Sequence, residues 1–345
     1  MNKEFLFEML RTPSPTGDEF GLQKKVIEYM KDYEIMTDYT GNVISCTNTD
    51  SKLKVLLAGH VDEIAYMVSD ITSAGMLKVV NAGGIRPQLA QGKRVKVLGY
   101  NGTLNGVFGV CKGSKGINTE ATTKDLYIDL GFDDKEEANK YVRTGDYVVY
   151  SNSVDELAND RIVGRALDNR LGAFIVTESL RRAKEKNAKV GIYSATTVGE
   201  ESSMRGAFWA AEKVKPDFAL IVDVTFATDY PGTNSAESGD VKLDGGPVLC
   251  KSSIVNNKLN DKLEEIARNL DINIQWEVAP GRTGTDGDKI HQSASGVPLS
   301  LISIPLRYMH SPGEVGSLND VEEIINLISE FLSKIDESFD INPFS

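Results

Sequence analysis

The chain has 345 residues, with 38 Lys and Arg against 50 Asp and Glu, a formal charge of -12 at pH 7. That balance speaks against nucleic acid and anionic membranes as partners, because both are bound by clustered Lys and Arg. No apolar run approaches the ~18 residues of a membrane span and the N-terminus carries no leader pattern, so a cytoplasmic location is expected.

Residues 3–33 read as two helices broken at Thr12-Pro13-Ser14-Pro15-Thr16-Gly17, with Thr16 and Glu19 as a capping box and Phe20, Val26, Ile27 and Met30 as the apolar stripe. Strands are predicted at 42–48 and 53–58, the second ending in Gly59-His60-Val61-Asp62-Glu63. From Met67 to Asn159 the pattern changes to short alternating runs, such as Arg94-Val95-Lys96-Val97-Leu98, with many glycines and no long helical period, which predicts an all-β barrel or sandwich. Between Met76 and Gly116 this segment holds Lys78, Arg86, Lys93, Arg94, Lys96, Lys112 and Lys115 and no acid, fitting contact with an acidic neighbouring subunit better than nucleic acid. After Arg161, helices near 168–186, 203–213, 257–269, 286–295 and 319–336 alternate with strands near 189–197, 218–224, 247–250, 273–278 and 298–304. The last helix carries Val321, Ile324, Ile325, Ile328 and Phe331 on one face behind Asn319 and Glu322 as its cap. Because α/β pattern flanks the β segment, the simplest organisation is one α/β domain, 1–66 and 160–345, with an insertion at 67–159. Cys46, Cys111 and Cys250 are odd in number, widely spaced and in strand context, so they read as reduced, packed thiols.

Histidine is scarce, and two of the three, His60 and His310, follow apolar strands. In an open α/β sheet such strand ends converge on one crevice. Three acidic segments stand at similar positions: Asp168 opening a helix, Glu200-Glu201 after the strand from Val190, and Asp223 closing Leu220-Ile221-Val222. Singly, Asp168 reads as a helix cap, the Glu pair as solvated turn residues, Asp223 as a loop cap and His60 as a hydrogen-bonded core residue. Jointly they suit two divalent cations roughly 3.5–4 Å apart, with His60, Asp168, Glu201, Asp223 and His310 as donors and Glu200 left free to take a proton. Asp62, two residues from His60, lies on the same side of an extended chain and suits the second imidazole nitrogen. Glu200 and Glu201 reach one site only if the chain turns after Gly199.

These segments, with Arg205-Gly206-Ala207, Val222-Asp223-Val224-Thr225-Phe226 and Ile302 to Pro312, resemble the M42 family of metallo-aminopeptidases from Pro13 to the C-terminal helix. The resemblance implies a mixed-sheet α/β/α catalytic domain of zinc-peptidase (phosphorylase/hydrolase-like) type carrying an inserted β-barrel dimerisation domain. It implies His60, Asp168 as bridge, Glu201, Asp223 and His310 as ligands of two metal ions, zinc first and cobalt or manganese as alternatives. Glu200 becomes the general base, Asp62 the carboxylate orienting the histidine, and the peptide bond after Asp168 is expected to be cis. A homo-oligomer is implied, a hollow dodecamer built from dimers. Lys112-Gly113-Ser114-Lys115-Gly116 stands where relatives carry Pro-Pro-His, and Gly284-Thr285-Asp286 continues atypically into Lys289-Ile290-His291, with His291 read as a helix residue unrelated to metal.

The reaction expected is removal of the N-terminal residue from peptides with a free amine, by a water bridging the metals with Glu200 as base. The rivals are a metal-independent glycoside hydrolase of endoglucanase type, a related dinuclear carboxypeptidase or deacylase, and a non-catalytic oligomeric shell. A glycosidase needs two flanking carboxyls and usually an aromatic platform, whereas Trp209 and Trp276 lie far from the motifs in sequence.

Overall fold

The computed structural model describes residues 1–110, 112–113, 116–237 and 239–345. Cys111, Ser114, Lys115 and Ser238 lie outside the described residues, Ser114 and Lys115 falling within the departure at 112–116.

An eight-stranded mixed sheet organises the α/β part. Its order is Glu34–Thr37, Val43–Thr47, Gly191–Thr197, Lys54–His60, Phe218–Phe226, Leu299–Leu306, Val248–Ser252 and Gln275–Ala279. The four middle strands are mutually parallel, so their carboxyl ends share one edge. The run Val55-Leu56-Leu57-Ala58 is continuous rather than alternating because both faces are covered: Val55 and Leu57 enter one core cluster, Leu56 and Ala58 the other. Helices Lys3–Arg11, Leu167–Glu185, Asn257–Asn269 and Leu318–Lys334 contribute to the first cluster, and Arg205–Val214 to the second. Phe174, Phe218 and Phe331 are fully buried there, each contributing about 1.5–3 kcal/mol of transfer free energy.

Six strands, Ala65–Ile71, Leu77–Ala82, Arg94–Gly99, Gly102–Phe108, Ile128–Asp129 and Tyr147–Tyr150, close into an antiparallel barrel around Tyr66, Val68, Val95, Val97, Phe108 and Val148. Most of the β-pattern between Met67 and Asn159 thus forms this barrel.

Three local expectations are corrected. The Thr16–Glu19 capping box does not form: the helix starts at Phe20 with Glu19 itself helical, and Thr16 is drawn away by its N–H bond to the Glu63 carbonyl. The C-terminal helix is capped by Ser317, whose hydroxyl accepts from the Asn319 N–H, while Glu322 pairs with Arg182 instead. The helix expected over 286–295 shrinks to Gly287–Ile290, because Asp288 folds back onto Thr283 and Gly284 in a tight loop.

Candidate active site

The site assembles where the middle strands end. Lys54–His60 delivers His60 at its last residue, with Asp62 two beyond, and Phe218–Phe226 carries Asp223. Leu299–Leu306 is followed by the loop bearing His310, and Gly191–Thr197 leads to Gly199, whose φ of +67° turns the chain so that Glu200 and Glu201 open a short helix. Asp168 stands at the start of Leu167–Glu185, where its peptide bond to Asn169 is cis. The cap of that helix is Ala166, so Asp168 is not a capping residue and its carboxylate faces the cluster.

All seven residues singled out in the sequence meet. His60 Nε2 lies 3.3 Å from Asp168 Oδ1, 3.7 Å from Glu200 Oε2 and 3.9 Å from Asp223 Oδ1. His310 Nε2 lies 3.2 Å from Asp168 Oδ2 and 3.8 Å from Glu201 Oε2. Two donor groups result, His60 with Asp168 and Asp223, and Asp168 with Glu201 and His310, each with ligand atoms within 4.8 Å of one another. Asp168 is common to both and presents a different oxygen to each imidazole. On the far side of His60, Nδ1 is 3.4 Å from Asp62 Oδ1. Asp62 also accepts the N–H of Glu200 on Oδ1 and of Glu201 on Oδ2, both at 3.1 Å, so one carboxylate fixes the imidazole and the glutamate pair. His291 belongs to neither donor group among the described residues.

Sequence reasoning missed several partners. Glu314, 1 % exposed, accepts the Asp168 N–H at 3.2 Å and the His310 N–H at 2.9 Å, holding the backbones of two cluster residues. Asp286, also buried, accepts the Thr197 hydroxyl; it lay within the quoted Gly-Thr-Asp motif without a role. Glu63, beside Asp62, pairs with Arg165 and, at 2.6 Å, with the fully buried Arg170. Arg170 also donates to the carbonyls of Met9, Leu10 and Val61, tying the N-terminal helix to the His60 strand.

The charge state of this cluster is its chemical signature. Burial, opposed by His60 and reinforced by Asp223, Asp286 and Asp168, pushes Glu200 up to about 10. Burial likewise drives Glu201 and Asp223 well above the carboxylate range, His60 opposing in both cases. For Asp168 burial raises the pKa, but the contacts with His310 and His60 win and hold it below its usual value. Burial would discharge His60, yet Asp168 and Asp62 keep its pKa well above 6.5. Glu200 Oε1 and Glu201 Oε1 are buried with no hydrogen-bond partner among the described residues. Crowded carboxylates with unused oxygens, flanked by two imidazoles, are what a cluster of bound cations would relieve.

The cluster opens into a cavity of about 760 Å³ lined also by Gly84, Thr225, Phe226, Cys250, Glu277 and Ser303. Gly84 comes from the loop after barrel strand Leu77–Ala82 and lies against the His310 ring, where a Cβ would sit 2.9 Å from Cε1 and Nδ1. Neither tryptophan lines the cavity: Trp209 is exposed, and Trp276 packs against the core.

The family model for the M42 glutamyl aminopeptidases matches residues 41–327. The chain belongs to the M42 family. A putative aminopeptidase of Acetivibrio thermocellus is 34 % identical over 339 residues, covering 96 % of this chain and 99 % of its own. The TET aminopeptidase of the marine sediment archaeon Thaumarchaeota archaeon SCGC AB-539-E09 superposes with a TM-score of 0.91 at 31 % identity, covering 97 % and 96 % of the two chains. The Pyrococcus horikoshii TET1 peptidase, described as assembling into a tetrahedron or a large octahedral shell, gives a TM-score of 0.86 at 29 % identity over 96 % and 99 %. This M42 chain is therefore a peptide hydrolase, a metallo-aminopeptidase by family, with the mixed-sheet fold and six-stranded barrel of its TET relatives.

Proposed function

We propose that this M42 protein removes the N-terminal residue of peptides with two divalent cations, one held by His60, Asp168 and Asp223 and the other by Asp168, Glu201 and His310. The observation that carries this reading is Asp168, which turns one oxygen to His60 and the other to His310. Nitrogen and carboxylate donors suit zinc, and cobalt or manganese nearly as well. Bound there, the cations would supply Lewis acidity toward the free α-amine and the scissile carbonyl and would make the attacking water more acidic.

The remaining work falls to the chain itself. Glu200 supplies the general base: its Oε2 points to the cluster while Oε1 has no partner among the described residues, so it is placed to take the proton of the attacking water and hand it to the leaving amine. Asp62 holds His60 through Nδ1 and carries the backbone of Glu200, which aligns base and ligand with one group. Glu314 positions the Asp168 and His310 backbones. A glycosidase is disfavoured because Asp168, Asp223 and Glu201 crowd with the imidazoles in two groups whose donor atoms lie within 4.8 Å of one another, and the cavity offers Phe226 but no tryptophan.

The partners in this reading are peptide substrates and further copies of the chain. Residues 67–159 act as a dimerisation domain, and the dimers build a dodecamer, as the P. horikoshii relative's closed shells support. Action in the cytoplasm is supported by Cys46 and Cys250, both buried free thiols. The test is to load purified protein with zinc, cobalt or manganese, count bound metal, and compare aminoacyl amides with N-acetylated counterparts. Two ions per chain with cleavage of free-amine substrates alone supports the reading. Cleavage of the blocked substrates, or undiminished activity after exhaustive chelation, refutes it.

A further inference from the structure

From the donor cluster the cavity continues along one face of the sheet. Asp223 and Thr225 project from the same side of their strand, about 6.6 Å apart at 3.3 Å per residue. Ser303 sits in register beside Asp223 on the next strand. Glu277, from the edge strand Gln275–Ala279, reaches back across this face: its Oε1 accepts the Ser303 hydroxyl at 2.6 Å and its Oε2 accepts the Thr225 hydroxyl. Glu277 lines the same cavity as His60, Asp168 and Glu200. Among the described residues no Lys, Arg or His side chain acts on it electrostatically; its partners are those two hydroxyls. Burial pushes its pKa up while the two hydroxyl donors pull it back, as for a desolvated carboxylate lacking a counter-ion.

We propose that this end of the cavity receives the side chain of the substrate's N-terminal residue and that Glu277 selects a basic one, lysine or arginine. The inference rests on the aminopeptidase reading above and adds the substrate class. Cys250, Ala279 and Leu301 also line this cavity, giving it apolar surface suited to the four-carbon stem of lysine, whose ammonium then meets the carboxylate. An acidic first residue would instead bring a second anion to a half-buried one. Arg282 and Lys289 also line the cavity, but both are exposed, where solvent screens their charge. Glu277 therefore acts as the specificity-determining residue.

The experiment compares lysyl, arginyl, leucyl and glutamyl amides, with Lys-Ala against Ala-Lys, for the wild type and Glu277→Gln. The wild type should favour the basic first residue. Glu277→Gln should lower the ratio of lysyl to leucyl kcat/KM by roughly 10-fold or more, carried mainly by KM for the lysyl substrate. Taking the ratio within one preparation cancels partial misfolding. Calorimetric titration of metal-free protein with L-lysinamide and L-norleucinamide reads the same contact without turnover, and only lysinamide should weaken in the variant. A glutamyl preference, a basic preference only at the second position, or an unmoved ratio overturns the inference while leaving the aminopeptidase reading intact. No turnover of any amide by the metal-loaded protein overturns both.

Discussion

Replacing Glu63 by Gln tests whether the buried ion triad holds the N-terminal helix, the His60 strand and the Asp168 helix together. The side chains of Glu63, Arg165 and Arg170 are 3 %, 6 % and 0 % exposed, so the amide would leave two guanidiniums inside the protein without their carboxylate. Removing one partner of a buried pair costs about 3–5 kcal/mol, because the orphaned charge is more expensive than the pair was valuable. Unfolding entropy of about 2.1 cal/mol/K per residue gives a 345-residue chain about 0.7 kcal/mol/K, so Tm should fall by about 4–7 °C in scanning calorimetry. Burial would raise the pKa of Glu63, but Arg165 and Arg170 hold it below its ordinary 4.5. A depressed carboxylate stabilises the fold fully above its unfolded pKa and loses that contribution as pH falls through the folded one. The gap between wild type and variant should therefore stay constant from pH 7 to about 4.5 and narrow below it. A Tm change within 1 °C, or a gap that closes near neutrality, would refute the reasoning.

Glu200→Gln should reduce kcat by about 10²–10⁴-fold while bound metal, counted by elemental analysis, is retained; near-normal turnover removes Glu200 as the base. Stripping metal with a chelator should lower Tm, and restoring it at 100 times its Kd should return about 2.7 kcal/mol per independent site; a Tm indifferent to metal contradicts a cation site in the carboxylate cluster. Because burial pushes Glu200 up to about 10 in the metal-free protein, and shifts Glu201 and Asp223 in the same direction, cation binding must displace a proton from Glu200 at pH 7. Titrations in buffers of different ionisation enthalpy should show proton release, and affinity should fall as pH is lowered. Gly84→Val should weaken metal retention at the His310 side, since its side chain meets the imidazole at under 3.0 Å; unchanged metal content and activity would show that the loop yields freely.

The donor set was legible because His60, Glu201, Asp223 and His310 stand at or beyond the ends of buried apolar strands that the parallel middle of the sheet sends to one edge, while Asp168 opens helix Leu167–Glu185 beside them. The turn at Gly199 was legible for a related reason, since adjacent glutamates cannot share a site on a straight strand. Glu314, Asp286 and Arg170 were not: Glu314 is 146 residues from the Asp168 N–H it accepts and Arg170 is 107 from its carboxylate, distances no local pattern encodes. One capping error has the same origin: Thr16 is a sound local cap, but Glu63 supplies a competing partner that only the folded chain brings near. The other is local, since Ser317 caps the last helix from two residues before Asn319. Glu277 escaped notice because its strand lies at the sheet edge, three strands from Asp223, and only its side-chain reach returns it to the cavity.

Gly84 rests on the imidazole of His310 but belongs to the barrel, so the aim of that ring is shared property of the two parts of the chain. Any shift of the barrel loop, including one imposed by a neighbouring copy docking on it, must tilt the ring or be resisted by whatever holds it. Coupling of this kind runs equally in both directions, so under the proposed assembly an ion that clamps the imidazole would steady the surface through which copies associate, and association would in turn tighten the ion.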